Sequence, residues 1–207
     1  MKFEFHPVDP QADAGLLHSW MRQEYAVFWG MNSASVEDVR AEYAGIAANP
    51  HHDAWLVHDA GTPAFLMESY APAHSPLAGT YPILPGDRGM HLLMGPPDAP
   101  RRGYTAAAFQ AVMEFLFADP SVDRVVVEPD VRNTKIHRLN ARMGFEPQEN
   151  ITLPDKTALL SFCTRTQFRD ATYLNSTSRG QPGTGTGNTT ASGQLSPEQI
   201  SPEGATR

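Results

Sequence analysis

Arg124-Val-Val-Val-Glu128-Pro-Asp130-Val-Arg-Asn133-Thr-Lys-Ile136-His-Arg-Leu139-Asn140-Ala-Arg-Met-Gly144-Phe145 is the stretch whose reading decides the fold. Arg124–Glu128 carries three consecutive valines, the pattern of a buried strand. Asn133–Met143 reads as a helix that stops at Gly144, where a left-handed C-cap takes glycine. Asp130 falls just past the strand's C-terminal end, where α/β sheets place their ligand crevices. Its plainer use is to cap the helix that follows.

Upstream, Met94-Gly95-Pro-Pro-Asp-Ala-Pro-Arg101-Arg102-Gly103-Tyr104-Thr105 joins a strand, Arg88–Met94, to the clearest helix of the chain, Thr105–Ala118. There Phe109, Val112, Met113, Leu116 and Phe117 recur at i, i+3, i+4, i+7 and i+8. A glycine-containing turn at a helix N-terminus aims unpaired N–H groups and the positive end of the helix dipole at one point. That is an anion site, and Arg101 and Arg102 strengthen it. The plain alternative is a strand-to-helix loop with two solvated arginines.

Further out, Lys2–His6 reads as a strand and Asp13–Trp20 as a helix. Ser35-Val-Glu-Asp38 opens a second helix with a capping box, and Val36, Val39, Tyr43 and Ile46 share one of its faces. Ala54–His58 and Ala64–Tyr70 are strands joined by the hairpin signal Asp59-Ala-Gly61-Thr, and Thr157–Cys163 is a last strand. This order describes an α/β (α+β) domain on one central mixed sheet.

Residues 88–146 resemble the GNAT superfamily of acyl-CoA-dependent N-acyltransferases. There a loop of the form (Q/R)-x-x-G-x-(G/A) holds the pyrophosphate and an N-x-x-A-x-x-L-Y-x-x-x-G-F helix lies beside the pantetheine. The resemblance implies a mostly antiparallel sheet with one splayed pair of parallel strands, flanked by helices. It places coenzyme A on Met94, Gly95, Arg101, Arg102, Gly103, Tyr104, Thr105, Asn133 and Asn140. The loop Pro100-Arg-Arg-Gly103-Tyr-Thr105 is off pattern at its first and last positions. The family's usual Tyr, often the donor that protonates the leaving thiolate, is Asn140 here, which cannot act as an acid.

Over residues 3–170 the chain resembles the siderophore-biosynthesis branch of that family. The segments are His18-Ser-Trp20, Phe28-Trp29-Gly30, Pro63–Tyr70, Gly89-Met-His91-Leu and Glu128-Pro-Asp130-Val-Arg-Asn133. His51-His-Asp-Ala, Pro63–Tyr70 and Lys156–Thr164 most resemble the desferrioxamine-pathway enzymes. The resemblance implies acylation of N-hydroxycadaverine by acetyl-CoA or succinyl-CoA to a hydroxamate. Lysine or N6-hydroxylysine as acceptor, and a silent CoA-binding module, are the alternatives. It also makes His91 and Asp130 the catalytic pair, on neighbouring splayed strands.

Read from the residues alone, His91 in Met90-His-Leu92 is a hydrogen-bonded core histidine or a base oriented by Asp130. Glu68, inside the apolar run Phe65–Tyr70, needs a partner because a buried carboxylate is costly alone. That partner is a structural arginine or a diamine's cation. Trp29 is core or pocket wall, and Trp29, Tyr70 and Glu68 together would favour a cationic acceptor over one bearing an α-carboxylate. The pair His51-His52 reads as a surface turn, no metal is expected, Cys163 reads as inert core, and the His74–Tyr81 loop is a lid or a plain connection.

The net charge of −7 over 207 residues argues against a nucleic-acid binder, and no apolar run is long enough for a membrane helix. MKFEFHPVDP has no secretory h-region. These features set the expectation of a cytoplasmic enzyme with small-molecule partners and leave a homodimer open. The domain is expected at 1–170. For 171–207 a disordered, low-complexity tail is expected, because from Asn175 on 22 of 33 residues are Gly, Ser, Thr, Pro or Asn.

Overall fold

A computed structural model describes residues 1–97, 99 and 101–179, with side chains to Leu174. Seven strands form one sheet: β1 (Phe3–Pro7), β2 (His52–Asp59), β3 (Thr62–Tyr70), β4 (Asp87–Met94), β5 (Arg124–Val127), β6 (Glu146–Thr152) and β7 (Thr157–Thr164). Their spatial order is β1-β2-β3-β4-β5-β7-β6, antiparallel except between β4 and β5. The expected mixed sheet with one parallel pair is therefore the sheet observed.

The helices are α1 (Pro10–Met21), α2 (Val36–Ala48), α3 (Tyr104–Ala118), α4 (Thr134–Arg142) and α5 (Arg165–Arg179), with a 3₁₀ segment over Glu24–Trp29. Strand alternation sorts side chains between the faces. Phe65, Met67, Met90, Val125 and Val127 meet α3 on one face. Leu56, Leu66 and Leu93 meet α1 and α2 on the other. Ser35 and Asp38 complete the capping box at α2. His52, Glu68 and His91 continue the α2-facing rows of β2, β3 and β4, and the register sets Glu68 directly opposite His91.

Helix α5 and strand β6 correct the sequence reading. Residues 171–179 were expected in the disordered tail, yet α5 runs through them to Arg179. Phe168 packs against Phe117, Gln167 accepts from the backbone and hydroxyl of Thr164, and the Arg165 guanidinium reaches the carbonyls of Phe117 and Asp119. The remainder of the expected tail lies outside the described residues. In β6, Glu146–Asn150 are exposed on an edge strand, so no apolar alternation marked it. The His74–Tyr81 segment is anchored at two points: Leu77 is buried and Tyr81 donates to Asp87. Cys163 is buried and its thiol pushed up to about 12 by burial.

Candidate active site

β4 and β5 pair only over Asp87–Gly89 and Arg124–Val126. Arg124 grips Asp87 through two 2.7 Å hydrogen bonds at the closed end. Beyond that point pairing stops, and a cavity of about 460 Å³ is lined by both strands together with the 3₁₀ segment, α2 and α4.

His91 lines it between two carboxylates. Nδ1 lies 3.2 Å from Oε2 of Glu68, and Nε2 lies 2.7 Å from Oε1 of Glu128. Both carboxylates are buried, whereas 38% of the His91 side chain remains exposed. Tyr43 donates to Oε1 of Glu68 at 2.8 Å, and Tyr70 donates to Oε2 of Glu128 at 2.8 Å. His52 Nε2 stands 3.4 Å from Glu68, and Lys156 Nζ 3.7 Å from Glu128.

Burial opposes every charge in this unit, and the neighbours outweigh it. For His91, burial favours the neutral ring, but Glu128 and then Glu68 hold its pKa up near 10. For Glu68, burial favours the acid, but His52, His91 and Tyr43 bring it down to about 2. Glu128 is lowered against burial by His91, Lys156 and Tyr70.

Several expected roles change here. Asp130 lines the cavity but does not hold His91: it accepts from the backbone and side chain of Arg132, which holds its carboxyl near 2. The helix cap is Asn133, whose Oδ1 accepts from Ile136 N–H. Glu68 waits for neither an arginine nor a diamine, since Tyr43, His52 and His91 surround it. Tyr70 is no pocket wall. Its ring lies across Gly89, where a Cβ would come within 2.3 Å of Tyr70 ring carbons, and so reaches Glu128 from beneath. Trp29 does line the cavity, with its ring 6.0 Å from that of His91. His52 points inward from β2 rather than sitting in a surface turn, because its row is that of Ala54 and Leu56.

The expected coenzyme residues divide into three sets. Met94 and Gly95 are engaged internally: the Met94 carbonyl accepts from Tyr25, and Gly95 N–H donates to Ala64. Asn133 and Asn140 line the acidic cavity, and both side-chain amide atoms of the buried Asn140 lack a hydrogen-bond partner among the described residues. Arg101, Gly103, Tyr104 and Thr105 line a second cavity of about 330 Å³, which Arg102 does not. Among the described residues, no side chain caps α3 at this end. Arg101 bonds Asp59 at 2.8 Å and stacks on Tyr104.

Lys135, Arg138 and Arg142 complete this basic groove. Their i, i+3, i+7 spacing was a signal that sequence reading passed over. Glu128 belongs to the motif Glu128-Pro-Asp130-Val-Arg-Asn133, but only the tertiary register reveals its contact with His91. Exposed cations around an uncapped helix N-terminus suit the phosphates of coenzyme A. Among the described residues, no group of three or more His, Cys, Asp or Glu is placed to hold a metal ion, and no helix is long and apolar enough to cross a membrane.

Residues 9–153 match the family model described as an acetyltransferase (GNAT) domain. The chain is 28% identical to an N-hydroxyputrescine acetyltransferase of Acinetobacter baumannii, over 75% of this chain and 74% of that one. An aminoglycoside N(6')-acetyltransferase type 1 of Klebsiella pneumoniae is 27% identical, over 75% and 80%. A hydroxyornithine transacylase of Ajellomyces capsulatus is 31% identical over 80% of this chain, which spans only 38% of that protein. Among solved structures, an uncharacterized protein from Bacillus halodurans superposes with a TM-score of 0.76 at 30% identity, covering 82% of this chain and 87% of that one. The aminoglycoside acetyltransferase AAC(6')-Ib in complex with coenzyme A gives a TM-score of 0.72 at 24% identity, over 82% and 98%, a likeness of fold.

Proposed function

The chain belongs to the GNAT acetyltransferase family, and from that premise we propose that it acylates the hydroxylamine nitrogen of N-hydroxycadaverine to a hydroxamate, for siderophore assembly in the cytoplasm. The observation that carries this reading is the charge of the larger cavity. Glu42, Glu68, Glu128, Asp130 and Asp155 line it against Lys156 and His91. Such a lining attracts a cationic acceptor and repels an α-carboxylate, which disfavours lysine and N6-hydroxylysine. Glu42 and Asp155 are exposed and carry no ion pair among the described residues, so they are free to meet a distal ammonium. The name of the Acinetobacter relative points the same way.

Acyl-CoA would lay its phosphates in the groove of Arg101, Lys135, Arg138 and Arg142. Its pantetheine would pass Asn133 and Asn140 on the way to the splayed strands. Acetyl-CoA and succinyl-CoA both serve as donors in this reading, because the basic groove meets the nucleotide arm that the two thioesters share.

Aminoglycosides are a second acceptor class, since they too are cationic and an aminoglycoside acetyltransferase is among the relatives. The test is a competition assay with acetyl-CoA and equal N-hydroxycadaverine, cadaverine, N-hydroxylysine, lysine and kanamycin, read by mass spectrometry. The N-hydroxycadaverine hydroxamate is the expected main product. A preference for either lysine compound or for kanamycin would overturn the assignment.

A further inference from the structure

A carboxylate that is ionised only accepts hydrogen bonds, and a neutral imidazole has a single N–H to give. His91 has a carboxylate oxygen at each ring nitrogen, 3.2 Å away at Nδ1 and 2.7 Å at Nε2. A neutral ring would set a bare lone pair against one of them. A proton on either carboxylate would relieve that contact, but the groups that face the carboxylates favour their ionised form and outweigh burial. Tyr43 from α2 and His52 from β2 face Glu68. Tyr70 from β3 and Lys156, just ahead of β7, face Glu128. The unit is therefore carboxylate, imidazolium, carboxylate, with both acceptors matched by ring donors.

Resting on the acyltransferase reading above, we propose that His91 is a positioning cation that keeps its proton through the reaction, and that Glu128 takes the proton from the acceptor nitrogen. As that nitrogen attacks the thioester carbonyl, the C–N bond forms and the C–S bond breaks, its electron pair leaving on sulfur. The nitrogen's proton passes to a Glu128 oxygen and from there to solvent, and the thiolate takes a proton from water. No acid is required of Asn140.

This arrangement also selects the acceptor. A carboxylate held low is a weak base. It can relieve a nitrogen that arrives neutral and becomes acidic on attack, as a hydroxylamine does. It cannot strip an alkylammonium, whose ordinary pKa lies near that of lysine, about 10.4. The preference for an N-hydroxy acceptor over its parent amine follows from the charge pattern itself.

The decisive measurement is the ¹⁵N spectrum of the His91 ring in the full-length protein, assigned with His91→Gln and followed from pH 5 to pH 10. Both nitrogens are expected to keep the imidazolium signature through pH 8.5. A neutral-ring signature at pH 7.5 would overturn the proposal whatever the protein acylates. Absence of hydroxamate in the competition assay would overturn the functional reading and leave the spectrum standing, so the two failures are separable. Alongside it, Glu128→Gln is expected to lower kcat about 10²–10⁴-fold, with Glu128→Asp recovering part of the loss. A Glu128→Gln protein that turns over at the wild-type rate would overturn the proposal.

Discussion

The acidic cleft and the basic groove share α4 as a wall and build their charge by opposite means. Ile136 and Asn140 face the cleft, whereas Lys135, Arg138 and Arg142 face the groove. In the cleft the charges are buried and interlocked: Glu68, His91 and Glu128 each depend on a neighbour to remain ionised. In the groove Lys135, Arg138 and Arg142 are exposed to water. A buried unit fails as a whole when one member is lost, while a solvated set loses members one at a time.

The comparison breaks most readily at Glu68. Glu68→Ala removes one carboxylate from a buried ion pair and strands Tyr43, His52 and the imidazolium of His91. The expected cost is about 3–5 kcal/mol in unfolding free energy, the range for one partner removed from a buried pair, measured by urea denaturation. A loss below about 1 kcal/mol would mean that the cleft is as solvated as the groove.

The groove should answer in binding rather than in stability. Arg138→Ala is expected to raise KM for acyl-CoA about tenfold to a hundredfold, the worth of a hydrogen bond to a charged group, about 1.5–3 kcal/mol. Unfolding free energy and kcat should stay near wild type. Equal effects on kcat and KM would place the acyl-CoA phosphates elsewhere.

The same contrast sets what the sequence could reveal. Each half of the groove is local: the glycine turn and the start of α3 lie together in 101–105, the i, i+3, i+7 stripe lies on α4, and Arg101, Gly103, Tyr104 and Thr105 were legible from the first. Strand β5 and helix α3 were legible too, because the Val125–Val127 run and the α3 stripe are clear apolar patterns. The cleft's chemistry is not local. Glu68 meets His91 through a β3–β4 register, and Glu128 meets it only because β4 and β5 splay beyond Gly89. A motif set Asp130 beside His91, yet Arg132, two residues on, captures that carboxylate first. Strand β6 stayed hidden because an exposed edge has no apolar alternation to read.

Titration sharpens the comparison with a smaller effect. His91 has its pKa raised from 6.5 to about 10 in the folded protein. Its contribution to stability is complete below pH 6.5 and is lost as pH rises towards 10. Glu68 is shifted the other way, to about 2, so its contribution is complete above its ordinary 4.5 and is lost as pH falls towards 2. Because 38% of the His91 side chain is exposed, solvent screening shrinks the alkaline effect. Wild type should lose about 2–4 °C in Tm between pH 7 and 9.5, the shift expected for about 1 kcal/mol, beyond any loss in His91→Gln. Parallel curves for the two proteins would remove His91 from the interlocked set.

The smallest effect belongs to Asp59, at the groove's rim. Arg101, 53% exposed, bonds Asp59 at 2.8 Å while its guanidinium lies over the Tyr104 ring. A phosphate that takes Arg101 must compete with Asp59, so this ion pair sets itself against the ligand. Surface pairs contribute about 0.2–1 kcal/mol, and tenfold in affinity corresponds to about 1.4 kcal/mol. Asp59→Asn should therefore lower unfolding free energy by no more than about 1 kcal/mol and tighten coenzyme A by up to about fivefold. Calorimetric titration at low salt checks the second quantity, and added salt should shrink the gain because both interactions are exposed to screening. Weaker binding in Asp59→Asn would show that Asp59 holds Arg101 in place for the phosphates instead of competing with them, and Arg101 would then be as interdependent with its neighbour as His91 is in the cleft.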